Sequence, residues 1–143
     1  MFKNINLQYI FSYSGTIPYL FILLDKLFFH LIDLVIIRQF AIYYSVIIIV
    51  FIGSINWNLK KNLSNVLVFH GLFPSVFGMI IVIMTLFSIS NLVIFFLLIN
   101  FIFLQLIIDY LLIYKTNDYK FIFFKVRLPL TFIIVFLLLI ILK

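Results

Sequence analysis

The stretch that decides the fold of this sequence is LVIFFLLINFIFLQLIIDYLLIY, Leu92–Tyr114. It holds 23 residues and one charged side chain, Asp109. As a helix it would be roughly 34 Å long at ~1.5 Å per residue, which is enough to cross a bilayer core of ~30 Å. We therefore predict a membrane span, and we expect the intramembrane aspartate to have a partner elsewhere in the chain.

Composition sets the class of the whole chain. Hydrophobic residues make up 67% of the 143 residues and charged residues only 10%, with a mean hydropathy of +1.38. A soluble domain with one buried core does not have this composition, so we predict an all-α, polytopic membrane protein. The chain has no cysteine, which excludes disulfides and thiolate metal sites.

Hydrophobic runs predict five transmembrane helices in a single transmembrane domain, residues 1–143. Their approximate bounds are 7–24, 40–57, 66–87, 92–114 and 121–142. Between the first and second spans, Asp25–Gln39 has amphipathic periodicity and is predicted to lie along the membrane surface or to cap the next span. His30 and Asp33 in that segment lack a third ligand, so we predict no metal and no cofactor.

The formal charge of +6 does not indicate nucleic-acid binding, because the ten basic residues are scattered at the ends of hydrophobic runs. They act instead as topology signals. Seven of them fall on the side of the N-terminus and three on the other side, which predicts an N-terminus inside and a C-terminus outside. We therefore expect a multi-pass membrane protein with this orientation.

Several small residues and prolines are candidates for helix packing or kinks. Pro18 cannot donate to the carbonyl of Ser14, so a kink is predicted in the first span, and Pro74 predicts another in the third. The spacing of small residues in the third span predicts one face on which another helix approaches closely. The full set of packing or kink candidates is Gly15, Pro18, Gly53, Gly71, Pro74, Ser75 and Gly78.

A polar cluster is predicted around Asp109. In an antiparallel hairpin centred on Asp118, Asp109 and Arg127 are both nine residues from the turn, so they lie at one depth and are expected to form an ion pair; snorkelling of Arg127 to headgroups is the alternative. The same count places Gln105 level with Thr131. Trp57 and Asn56, which close the second span, complete the candidate cluster.

Short motifs in order resemble a known family. They are YSGTIPY at 13–19, IGSINWN at 52–58, Phe73-Pro74-Ser75, Asp109, and Val126-Arg127 with Leu130-Thr131. Together they resemble the bacterial family that includes mitochondrial transmembrane protein 69, over about Leu7 to Leu142. The paired glycines and closing glycine of that family stand here as Gly53-Ser54 and Asn58. The resemblance implies a five-helix inner-membrane protein and supplies no reaction.

Three classes of function are weighed. No catalytic triad, metal triad or phosphate loop can be assembled from four Asp, two His and no Glu, so an enzyme is not expected; lipid-headgroup chemistry with Asp109 and His70 is the weakest alternative. A proton, ion or small-solute transporter or channel subunit using Asp109 and Arg127 is the stronger alternative. We favour an accessory or assembly factor acting through helix packing, with the bilayer and another membrane protein or a second copy as partners.

Overall fold

The computed structural model of the protein describes residue 10, residues 12–55, residues 65–111, residue 120 and residues 123–143. All regular structure in these residues is helical. We number the α-helices α1 (Ile17–Leu24), α2 (Leu34–Ile55), α3 (Asn65–Leu86), α4 (Asn91–Asp109) and α5 (Leu128–Leu142). Single π-helical segments, Asp25–Phe29 and Phe123–Arg127, follow α1 and precede α5.

Four helical stretches are long and apolar enough to cross a membrane. They are Leu34–Gly53, Val68–Leu86, Asn91–Asp109 and Phe123–Leu142. The all-α class is therefore confirmed, and these stretches coincide with the second to fifth predicted spans. In the region of the first predicted span, α1 has eight residues, and residues 1–9 and 11 lie outside the described part of the chain.

The first helical region is interrupted at Gly15 and Thr16, just before Pro18. Thr16 compensates for the break, because its backbone N–H and its hydroxyl both donate to the carbonyl of Tyr13, at 3.0 and 2.7 Å. Pro18 lies in the first turn of α1, where a missing N–H costs nothing. The proline therefore starts a helix here, whereas the sequence predicted a kink within one.

The prediction of a single amphipathic helix over Asp25–Gln39 is wrong. The π-helical segment ends at His30, which has a left-handed backbone (φ 52°), and α2 starts at Leu34. The carboxylate of Asp25 is buried and accepts from the backbone N–H groups of Leu31 and Ile32, at 3.3 and 3.0 Å. The buried carboxylate of Asp25 thus holds the chain reversal between α1 and α2.

The most extensive helix pair is α2 with α3, and it rests on small residues. A Cβ built on Gly53 would lie 2.6 Å from Pro74 Cγ and 3.2 Å from the carbonyl oxygen of Gly71. A Cβ on Gly78 would lie 2.8 Å from Val46 Cγ1. Real Cβ contacts are not this short, so the close approach of the two backbones depends on glycine.

Ser75 does not belong to this contact, although the sequence grouped it with Gly71 and Gly78. Both glycines and Pro74 are buried, whereas Ser75 is exposed. Each residue rotates the helix by about 100°, and the contact with α2 is centred on Pro74 and Gly78. Ser75, one residue after Pro74, therefore lies outside the contact face. Pro74 itself lies inside the uninterrupted helix α3.

The core of the bundle lies along α4 and α5. Phe95 and Leu98 of α4 and Leu138 and Ile141 of α5 are completely buried. About 60° around the helix from Leu98, α4 meets α3 through Phe101, whose ring stacks on Phe77 at a centroid distance of 3.7 Å. This packing holds the end of α4, and with it Asp109, inside the protein.

We expect Gly53→Ala to lower the free energy of unfolding by about 1–3 kcal/mol, the usual cost of overpacking, because its methyl group would overlap the ring of Pro74. Gly15→Ala is the matched control, since a Cβ there meets only Ser12 O, at an ordinary 3.4 Å. Thermal melting in detergent compares the two variants. Equal melting temperatures would contradict the close α2–α3 contact.

Candidate functional site

Asp109 is the last residue of α4 and one of the most deeply buried polar residues, with 2% of its surface exposed. Its two carboxylate oxygens bind side chains from two other helical elements. Oδ2 accepts from Arg127, at the end of the π-helical segment before α5, and Oδ1 lies 2.7 Å from Nε2 of His70 on α3. The site therefore joins three elements through one carboxylate.

Arg127 turns inward to the carboxylate. Its Nε donates to Oδ2 at 2.8 Å, and its Nη2 donates to the same oxygen. The sequence predicted that Arg127 pairs with the carboxylate bidentately, and two of its nitrogens do bind Asp109, both on Oδ2. The imidazole of His70 contacts the other oxygen, Oδ1.

His70 was not predicted as part of the ion pair, although it was coupled with Asp109 in the lipid-headgroup alternative. An ionised carboxylate only accepts hydrogen bonds, so with Asp109 ionised the hydrogen lies on Nε2 of His70. With the proton on Oδ1 of Asp109, the same contact persists with Nε2 as the acceptor. The pair can therefore hold a proton at either atom without losing its hydrogen bond.

Gln105 and Thr131 are both buried next to the ion pair. Gln105 donates from Nε2 to the carbonyl of Ile49 on α2, at 3.3 Å, while the Thr131 hydroxyl donates to the carbonyl of Arg127, at 2.9 Å. Gln105 and Thr131 share the lining of one small cavity with Arg127. Gln105 thus brings a fourth element, α2, to the site.

Two small cavities lie on either side of Gln105. One, between α2, α4 and the Arg127–Thr131 region, measures about 10 Å³. The other, beside His70 and Pro74, has a similar volume of about 10 Å³. Each volume is close to that needed by a single water molecule, and each cavity has polar groups in its wall. Each of these two cavities thus holds a single water molecule at most and is too small for an organic substrate.

Of the other predicted site residues, Trp57 and Asn56 lie outside the described residues. Pro74 lines the cavity beside His70, and the carbonyl of Gly15 accepts from the hydroxyl of Tyr44 at 2.9 Å. In the described ranges, no three His, Cys, Asp or Glu side chains are grouped in a way that could hold a metal ion.

A second set of polar contacts, which the sequence did not predict, anchors the far end of α5. Lys26 donates from Nζ to the carbonyls of Ile140 and Ile141, both at 2.8 Å, and Arg38 donates from Nη2 to that of Leu142 at 2.9 Å. Burial, together with the neighbouring charges of Arg38 and Lys143, lowers the pKa of the Lys26 amine. Cations are favourable at a helix C-terminus, where carbonyls lack partners.

We expect Asp109→Leu and Arg127→Leu each to destabilise the protein by about 3–5 kcal/mol, because each leaves a buried charge without its main partner. The double variant should lose less than the sum, because neither charge then remains. Melting and folded yield in detergent measure all three, with the exposed Phe124→Leu as a control for the same region. Losses that simply add would contradict the coupling.

Comparison of the chain with models of protein families, with curated proteins and with solved structures finds no match in any of the three. The family resemblance, and the five-helix inner-membrane architecture that it implies, therefore stay predictions.

Proposed function

We propose that this chain is a multi-pass protein of the bacterial cytoplasmic membrane that works as an accessory or assembly factor through helix packing, without catalysis. The proposal is supported by the contacts that the buried charged side chains make. Asp109 binds His70 and Arg127 across three helical elements, so the charges hold helices together. In the described part of the chain, the two small cavities that Gln105 lines each admit a single water molecule, which is too little space for a substrate.

The proposal extends to five spans and to the orientation of the chain. Lys26 and Arg38 lie at the end of the bundle opposite Asp109 and Arg127, and the charge distribution along the sequence favours the latter end as cytoplasmic. The first span would include α1 and the residues before it. This arrangement gives termini on opposite sides of the membrane.

Reporter fusions test the orientation. A reporter at the N-terminus should give a cytoplasmic signal and one after Lys143 an external signal, because seven of the ten basic residues lie on the N-terminal side of the predicted topology. Each terminus is fused in turn to two reporters, one active only in the cytoplasm and one active only outside it, and their opposite signals serve as an internal control. Signals from the same side for both termini would contradict five spans.

Proton or ion transport is a second candidate, favoured by one specific observation. The 2.7 Å contact between His70 Nε2 and Asp109 Oδ1 can keep its hydrogen bond with the proton on either atom. Gln105 separates two cavities of water size, one beside His70 and the other beside Arg127. Ionisable groups within membrane spans commonly mark proton paths.

Proton flux into reconstituted liposomes separates the two functions. For an accessory factor we expect the wild-type protein to give the flux of empty liposomes, with no change on Asp109→Asn, and we expect a defined membrane complex to co-purify after gentle detergent extraction. Asp109→Asn keeps the size of the side chain, and its melting temperature reports whether it folds. Flux above the empty control that is lost in a folded Asp109→Asn variant would overturn the proposal in favour of transport.

A further inference from the structure

Asn100 is a polar side chain on the outside of the bundle at the centre of a membrane-spanning helix. It is the middle residue of the 19 residues of α4, about 14 Å from either end at ~1.5 Å per residue, and its side chain is exposed. Asp109 follows Asn100 by nine positions, or two and a half turns, so the two side chains lie on opposite faces of the helix. Lipid headgroups cannot reach this depth.

The amide of Asn100 has unused hydrogen-bonding capacity. Within the described part of the chain it makes one hydrogen bond, from Nδ2 to the carbonyl of Phe96 one turn earlier, at 2.7 Å. An asparagine amide has two N–H donors and a carbonyl oxygen with two acceptor positions. One donor and the oxygen therefore face a hydrocarbon environment that cannot satisfy them, which is unfavourable.

Asn100 is the centre of an exposed face with heptad spacing. Val93 and Ile107 lie seven residues on either side of it, and Phe96 and Leu104 lie four residues on either side; all four are exposed. Val93, Asn100 and Ile107 keep the seven-residue repeat of a left-handed helix pair, and Phe96 and Leu104 widen the face on the two sides of that line. A single asparagine at the central position of such a face fixes the register of the pair.

We propose that this face, Val93, Phe96, Asn100, Leu104 and Ile107, binds the same face of a second copy of the chain in the membrane. The inference rests on the membrane-spanning part of the proposed function. Copies inserted with one orientation present α4 in parallel, so Asn100 of each copy lies at the same depth. Across a twofold axis the free N–H of each amide donates to the oxygen of the other, and both are satisfied by one isologous contact.

Hydrogen-bond complementarity is the reason for choosing a second copy as the occupant. An amide carries both a donor and an acceptor, so two identical amides can bind each other. In a second copy of the chain, the α4 helix carries the same amide at the same depth in the membrane. A foreign helix would need a polar residue placed at that depth. The other side of α4 is already filled by the Asp109 cluster and the core, which leaves this face available.

Cross-linking in liposomes tests which face is shared, and the cysteine-free chain allows single-cysteine variants. Phe96→Cys lies on the proposed face, and Phe136→Cys on α5 is the matched control, with original side chains 65% and 63% exposed. A short thiol-reactive cross-linker should couple two copies through position 96 much more efficiently than through position 136. Equal coupling at both positions, or no coupling at position 96, would overturn the proposal.

The amide contact is tested by resonance energy transfer between labelled copies over a range of protein-to-lipid ratios. We expect Asn100→Leu to weaken association by roughly 3- to 30-fold, the range for interhelical hydrogen bonds of polar side chains in membranes, and Asn100→Gln to retain more of it. An unchanged melting temperature shows that Asn100→Leu is folded. Wild-type association in a folded Asn100→Leu variant would overturn the self-association proposal while leaving the accessory function, which the flux and co-purification measurements address, unaffected.

Discussion

A carboxylate enclosed among apolar helices must be compensated by hydrogen-bond donors, and in the described part of the chain Asp109 is bound by side chains from two other helical elements. His70 comes from α3, and Arg127 comes from the segment before α5. Because lipid tails compete with protein for apolar side chains, packing shape and polar contacts of this kind together determine which helix surfaces meet. The relative positions of α3, α4 and α5 at this end of the bundle depend on that single carboxylate.

The opposite end of the bundle is fixed by a different type of contact. Lys26 and Arg38 bind the last carbonyls of α5, which a helix leaves without internal partners. Arg127 precedes the same helix and holds its beginning, so α5 is anchored by cations at both ends. Between these ends α2 and α3 approach through glycine contacts, which depend on shape and on no charge.

The sequence predicts those features that follow from helical repeat and from position along one hairpin. Arg127 could be assigned to Asp109 because both are equally far from one turn, whereas no such count relates His70, on the preceding hairpin, to either residue. Ser75 was misassigned because a spacing of four does not reveal where the centre of a contact face lies. The segment after α1 was misassigned because a periodic pattern does not show that Asp25 binds backbone amides across a chain reversal.

The polar residues of α4 illustrate how few positions determine specificity in a chain that is 67% hydrophobic. Gln105 and Asp109 are one turn apart on the inner face, where their partners belong to the same chain, and Asn100 lies on the outer face. The contacts of Gln105 and Asp109 select one arrangement of the helices within a molecule. The amide of Asn100 makes the outer face of α4 different from an apolar surface that faces lipid. Bulky apolar residues fill the remaining positions, and they can do so with little constraint because hydrocarbon and protein are equally good neighbours for them.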